Sequence, residues 1–114
     1  MGSTGTGSFG NYSKSEKDVC PEEVYFVIED FDVSEYKTEQ GIPEVGQKVF
    51  IFSELVEKRL VVVEEETELM LGNVPTEHNY LFHSCIEKGK QYKGEIINVD
   101  ENLITQIMVK LNVE

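Results

Sequence analysis

The chain has 114 residues, of which 39% are hydrophobic and 28% charged, and its formal net charge is −12. This composition is typical of one folded domain and excludes a disordered or fibrous chain. Arg59 is the single arginine, whereas duplex nucleic acid is bound by clusters of Arg and Lys that neutralise phosphates. The charge therefore argues against a duplex ligand. It suits a basic protein partner, or it serves only to keep a small protein in solution.

Residues 1–20 are rich in Gly, Ser and Thr, with Phe9 and Tyr12 as their large side chains. Such a segment cannot recover its ordering entropy by burial, so we expect a flexible arm followed by a single domain over residues 21–114. Neither a signal-peptide pattern nor an apolar run of the roughly 20 residues that a membrane span needs is present. We therefore expect a cytoplasmic protein.

The first predicted strand covers Glu23 to Phe31, where β-branched and aromatic residues form a run. Its apolar residues fall on both sides, so we expect both of its faces to be covered. A long loop follows, with one helical turn near Ser34 to Thr38. Lys48 to Leu55 and Lys58 to Glu66 then form two strands joined near residues 56–57, which predicts a hairpin.

An acidic turn, expected to be exposed, leads into a strand over residues 68–75. The main helix starts after Pro75, where Thr76 can cap the free backbone amides, and it stops before Gly89. This helix carries an apolar stripe that should pack on the sheet. Its members lie one turn apart, Leu81 with Cys85 and Phe82 with Ile86.

Residues 91–99 and 102–113 close the chain as a hairpin around residues 100–102. The last strand alternates, with Leu103, Ile107, Val109, Leu111 and Val113 on one side. The sum is an α+β fold: a small antiparallel, partly open β-barrel of SH3 or OB type, with five to six strands and one packed helix.

The residues that usually carry chemistry give weak signals here. His78 and His83 point about 140° apart on a helix and cannot share a metal. The carboxylates of EEETE (64–68) lack the spacing of a cation-binding loop, so we expect no metal site and no cofactor. No nucleophile, base and oxyanion donor occur with matched spacing, which predicts a non-catalytic protein.

Cys20 and Cys85 lie far apart in the chain. A single pair is neither a disulfide scaffold nor a CxxC motif, so we expect free thiols, with a bridge between the two as the alternative. Cys85 lies on the apolar stripe of the helix, where a thiol is usually inert.

The stretch LVVVEEETELMLGNVPTEHNYLFHSCIEKGKQYKGEIINV orders strand, turn, strand, helix, glycine and returning strand. This order resembles the HIRAN domain, a small barrel that grips the 3′ end of single-stranded DNA in some chromatin remodellers and helicases. The resemblance covers roughly residues 46–99, with its firmest points at Gly72, Pro75, Leu81 and Gly89. It implies a helix-capped barrel, and with it binding of single-stranded nucleic-acid ends as an alternative function.

The opening stretch MGSTGTGSFGNY has three interpretations: a cloning remnant or spacer, a myristoylation signal at Gly2, or an arm that a protein partner binds. In the last, Phe9 and Tyr12 supply aromatic anchors. We expect a non-catalytic, acidic adaptor that binds a protein partner through this arm and the barrel surface, without membrane contact. The candidate partner-binding residues are Gly2, Phe9, Tyr12, Glu64, Glu65 and Glu66.

Overall fold

The computed structural model of the protein describes residues 20–114. Along this part of the chain, six strands, two α-helices and one 3-10 turn follow in the order β1 (Glu23–Val27), η1 (Phe31–Val33), α1 (Glu35–Gln40), β2 (Lys48–Ile51), β3 (Val61–Glu64), β4 (Met70–Asn73), α2 (Thr76–Glu87), β5 (Tyr92–Asp100) and β6 (Gln106–Val113). None of the helices in residues 20–114 has the length and apolar character that crossing a membrane requires.

All six strands belong to one antiparallel sheet in the order β1-β6-β5-β2-β3-β4. The sheet curls until its two edges meet just beyond β1, where Glu29 and Asn73 exchange backbone N–H···O bonds of 2.9 and 2.7 Å. The predicted small, partly open α+β barrel with one main helix is confirmed. Each of the predicted hairpins, around residues 56–57 and 100–102, joins antiparallel neighbours.

Gly72 permits this meeting of the edges. A Cβ atom at this position would overlap the carbonyl oxygen of Glu29 and the Cγ2 of Ile28, and the residue has a φ of +152°. The β3–β4 register also shifts between Val62 and Val63, which bends the edge strand. Only a residue without a side chain lets the two backbones approach this closely.

The interior of the barrel is apolar, and α2 covers one side of it through Phe82 and Cys85. The Phe82 ring lies 4.9 Å from that of Tyr92 and 6.1 Å from that of Phe26, measured between centroids. The predicted capping by Thr76 is wrong. Pro75, with an extended backbone, is the N-cap residue, and no side chain of the described part of the chain caps the helix.

Two expectations about strand faces are also wrong. In β1, Phe26 is buried, but the opposite face is open because Tyr25 is half exposed. Asp30 has a positive φ of 64° and turns the chain, so Phe31 reaches the core from the 3-10 turn and not from the strand. Leu103 is fully exposed, since β6 begins only at Gln106.

Cys20 and Cys85 form a disulfide, with Cα atoms 5.8 Å apart, so the expectation of free thiols is wrong. The chain that leads into β1 passes beside the end of α2, where the Tyr92 hydroxyl donates a 3.1 Å hydrogen bond to the carbonyl of Pro21. Because 65 residues separate the two cysteines, only the tertiary fold brings them within bonding distance.

Candidate functional site

The outer face of β2 and β3 carries apolar side chains where a solvated sheet normally carries polar ones. Phe50 lies directly opposite Val63, and the next outward pair is Phe52 with Val61, joined by a 3.0 Å bond from the Phe52 N–H to the Val61 carbonyl. Side chains that face each other in this way form continuous apolar contact across the strands.

These residues line an outer groove of about 520 Å³, composed of Glu35, Phe50, Phe52, Val56, Val61, Val63, Glu68 and Met70. Val61 and Val63 are buried at its base, while Phe52 and Val56 remain 40% and 38% exposed at its side. Such an open concave apolar surface is the usual form of a site that binds an apolar segment of another molecule.

One side of the outer groove is acidic. Glu35, on α1, accepts a 3.2 Å hydrogen bond from the backbone N–H of Met70, which holds α1 against the edge of β4. Ser34 starts this helix by accepting a bond from the Lys37 N–H at 3.1 Å. Glu68 lies on the turn before β4 and is exposed. Among residues 20–114, no basic side chain lines the groove.

Sequence reasoning missed this groove, although a signal was present. The runs VFIF (49–52) and LVVV (60–63) are uninterrupted, and a strand with one solvated face would alternate instead. An uninterrupted apolar run also predicted that both faces of the first strand are covered. That prediction fails because part of the run lies beyond the end of the strand. The sequence therefore indicates a second apolar face in β2 and β3, but it does not indicate whether another part of the chain covers that face.

The acidic turn lies next to the outer groove, but its three glutamates differ in their surroundings. Glu64 is buried, contrary to the expectation of an exposed turn, and only 2% of its surface is accessible. Its carboxylate accepts hydrogen bonds from the N–H of Glu66 at 3.1 Å and from the N–H and hydroxyl of Thr67 at 2.9 and 2.6 Å. Glu64 therefore organises the turn from inside.

Burial acts to raise the pKa of Glu64, but the hydrogen bonds from Thr67 and Glu66 outweigh it and hold the pKa below its ordinary value of 4.5. The other two predicted residues, Glu65 and Glu66, are exposed. Glu65 also lines a depression of about 370 Å³ that shares two residues, Phe50 and Phe52, with the outer groove. The turn therefore adds negative charge beside the apolar surface.

The remaining predicted site residues, Gly2, Phe9 and Tyr12, lie outside the described residues. Their proposed role in an arm stays a prediction.

A second concave surface, of about 650 Å³, lies between the end of β1, the start of α2 and the β5–β6 turn. Two of its four carboxylates, Glu29 and Asp30, already have partners: Arg59 contacts Glu29 at 2.7 Å, and the Asn73 side-chain amide donates to Asp30 at 2.7 Å. These contacts hold the barrel edges together, so we assign this surface a structural role.

The histidines serve packing and surface contacts. The His78 ring lies 6.0 Å from that of Phe26 and 5.8 Å from that of Phe82, and Nε2 of His83 lies 3.8 Å from a carboxylate oxygen of Glu87. Within residues 20–114, no group of three or more His, Cys, Asp or Glu side chains is placed to hold a metal ion.

Comparison of the chain with known protein families, with curated proteins and with solved structures gives no match. The functional interpretation is therefore argued from the geometry of the described residues, and the outer groove is the feature it uses.

Proposed function

We propose that this protein is a non-catalytic interaction module that binds a protein partner through its acidic barrel surface, with the N-terminal arm as a further contact. The observation that carries the proposal is the outer groove, an open apolar surface built from side chains such as Phe50, Phe52 and Met70. Exposed apolar patches flanked by polar residues commonly mark protein-binding sites on small soluble domains.

The alternative is HIRAN-like binding of single-stranded nucleic-acid ends. The helix-capped barrel is compatible with it, but fold alone does not carry function. Single strands are bound by aromatic side chains together with a basic groove that follows the backbone. The outer groove offers the aromatic residues Phe50 and Phe52 but has the carboxylates of Glu35 and Glu68 where cations are needed. The charge therefore favours a protein ligand.

The cytoplasmic location proposed from the sequence conflicts with the Cys20–Cys85 disulfide, because disulfides persist mainly in oxidising compartments. We propose that the protein functions where this bridge stays oxidised. The redox state of the two cysteines can be tested by alkylating free thiols in native extracts. Mass spectrometry of the intact chain then counts the alkylated cysteines. Two alkylated cysteines would return the assignment to the cytoplasm.

Binding is tested by capture from the native host with the full chain and with a chain that lacks residues 2–18, followed by purification of the captured protein and titration. We expect a partner that binds in a 1:1 titration, and weaker binding without the arm. The nucleic-acid alternative is tested in parallel with single-stranded oligonucleotides at low and high salt. Binding that falls steeply with salt, without any protein partner, would replace the proposal.

A further inference from the structure

We infer that the outer groove takes an amphipathic helical segment of a partner, with apolar residues facing the groove and Lys or Arg residues flanking them. This inference rests on the proposed function and specifies the chemistry of the partner. It follows from the dimensions of the groove, from the sign of its charge and from the contacts that close the neighbouring sheet edge.

The geometry suits a helix. The groove spans three strands, about 10 Å across at the usual strand separation, and this equals the diameter of a helix with its side chains. Phe50 in β2 and Phe52 just after it are two residues apart, about 6.6 Å in an extended chain, which is close to the rise of about 6 Å between positions i and i+4 of a helix. Two or three apolar anchors one turn apart therefore match the apolar residues of the groove.

An added strand is a poorer occupant of this region. Pairing with β4 requires free backbone groups on its outer edge. The N–H of Met70 already donates to the Glu35 carboxylate, and Asn73 uses both its N–H and its carbonyl with Glu29. The groups at both ends of β4 are thus already bonded, which disfavours strand addition there, so the partner contacts side chains on the face of the sheet.

The acidic residues at the outer groove favour basic residues beside the apolar stripe of the partner helix. Glu35 and Glu68 line the outer groove, and Glu65 lies in the adjoining depression, which Lys93 also lines. A helix with Lys or Arg beside its apolar stripe places cations against these carboxylates, whereas one with Glu there meets like charge. Complementary charge both speeds association and rejects acidic competitors.

A second copy of this chain fits less well. A two-fold dimer through the groove would place the Glu35 and Glu68 side chains of both copies near one another, on chains that each carry a net charge of −12. Repulsion at the contact and between the whole molecules opposes such a dimer.

The test is a binding titration with labelled synthetic peptides on the full chain with its disulfide intact, read by fluorescence anisotropy. The first peptide is a helix former of about 14 residues with leucines one turn apart and lysines beside them. The second has glutamates in place of the lysines, and the third has serines in place of the leucines. We expect micromolar binding of the first peptide and at least about tenfold weaker binding of the other two.

Matched variants locate the binding. Phe52→Ser removes a half-exposed groove residue, and Leu103→Ser removes an exposed apolar residue on the β5–β6 turn that does not line the groove. We expect Phe52→Ser to raise the dissociation constant of the first peptide about tenfold and Leu103→Ser to change it less than twofold. Thermal unfolding of both variants checks that each is folded.

Charge is tested separately with Glu35→Gln/Glu68→Gln. The control is Glu44→Gln/Glu101→Gln, which changes the net charge equally at exposed positions outside the groove. We expect the first pair alone to weaken binding of the lysine peptide and to relax rejection of the glutamate peptide. Equal effects of both pairs would show attraction to the net charge only and would overturn the inference.

Three further outcomes would also overturn it. The first is binding that Phe52→Ser leaves unchanged. The second is concentration-dependent dimerisation that Phe52→Ser abolishes, because the occupant is then a second copy. The third is peptide binding that appears only after removal of residues 2–18, because the occupant is then the chain's own arm. If no peptide binds while a purified partner does, the partner uses another surface and the proposed function stands without this inference.

Discussion

The side chain of Arg59 donates a 2.7 Å hydrogen bond to the carboxylate of Glu29, and this contact joins the β2–β3 hairpin to the segment that follows β1. The same guanidinium donates to the carbonyl of Val74 at 2.5 Å, beyond the end of β4. The only arginine of the chain therefore links three segments at the place where the two edges of the sheet meet.

Arg59→Met removes these bonds and leaves the Val74 carbonyl short of a partner, so we expect a loss of about 1–3 kcal/mol of unfolding free energy. Most of it comes from the hydrogen bonds, since Glu29 is partly exposed and its ion pair is screened. Urea denaturation measures the change. Lys48→Met is the control: it breaks the exposed pair with Glu95 and should cost less than about 1 kcal/mol. Equal losses in the two variants would show that Arg59 does not clamp the edges.

Gly72→Ala tests the close approach of the edges directly. The added methyl group would overlap the backbone of Glu29, so we expect a loss of more than about 3 kcal/mol or failure to fold. Gly89→Ala is the matched control, because its φ of +97° is strained for alanine but no atom of residues 20–114 lies within 4 Å of the new methyl. It should cost about 1–2 kcal/mol. Thermal and urea unfolding distinguish the two, and a milder effect at Gly72 would contradict closure of the barrel at this point.

Glu64→Gln tests the buried carboxylate. Because the pKa of Glu64 is lowered in the folded state, its ionised form stabilises the fold at pH values above its ordinary pKa of 4.5, and this contribution is lost as the pH falls through the lowered value. We expect wild type to exceed the variant by about 1–2 kcal/mol at pH 7, with the difference shrinking below about pH 4.5.

Urea denaturation of Glu64→Gln between pH 7 and pH 3 measures this difference. Glu66→Gln, at an exposed position two residues away, is the matched control for the loss of one carboxylate from the turn. A stability gap between wild type and Glu64→Gln that stays constant with pH would mean that ionisation of Glu64 does not stabilise the turn.

The disulfide gives a fourth prediction. It closes a loop of 65 residues, for which the chain-entropy relation gives about 4 kcal/mol. We expect Cys20→Ser to lower the unfolding free energy by about 2–4 kcal/mol, and a reducing agent to do the same to the wild type. The reducing agent should not change Cys20→Ser itself. Urea midpoints with and without reductant measure this, and equal midpoints for oxidised and reduced wild type would contradict a stabilising bridge.

The local pattern of apolar and polar residues was sufficient to predict the class of fold. Alternation in the last strand, the runs of β-branched residues and the stop at Gly89 predicted strands, helix and order, because these signals act between residues close in the chain. The small, partly open barrel followed from short connections between antiparallel strands. Strand ends were too long by several residues at Leu55 and Leu103, since a propensity run does not record where the turn begins.

The tertiary structure alone decided several features that the residue pattern does not show. The bridge between Cys20 and Cys85 and the junction at Glu29 and Asn73 each join positions that are distant in the chain, and the acidic pattern around Glu64 did not indicate its burial. The apolar runs of β2 and β3 were visible in the sequence, but whether their second face lies under a helix or open to solvent depends on where the chain places α1 and α2. Within residues 20–114, α2 covers the interior, α1 contacts the β4 edge, and neither helix covers the outer groove.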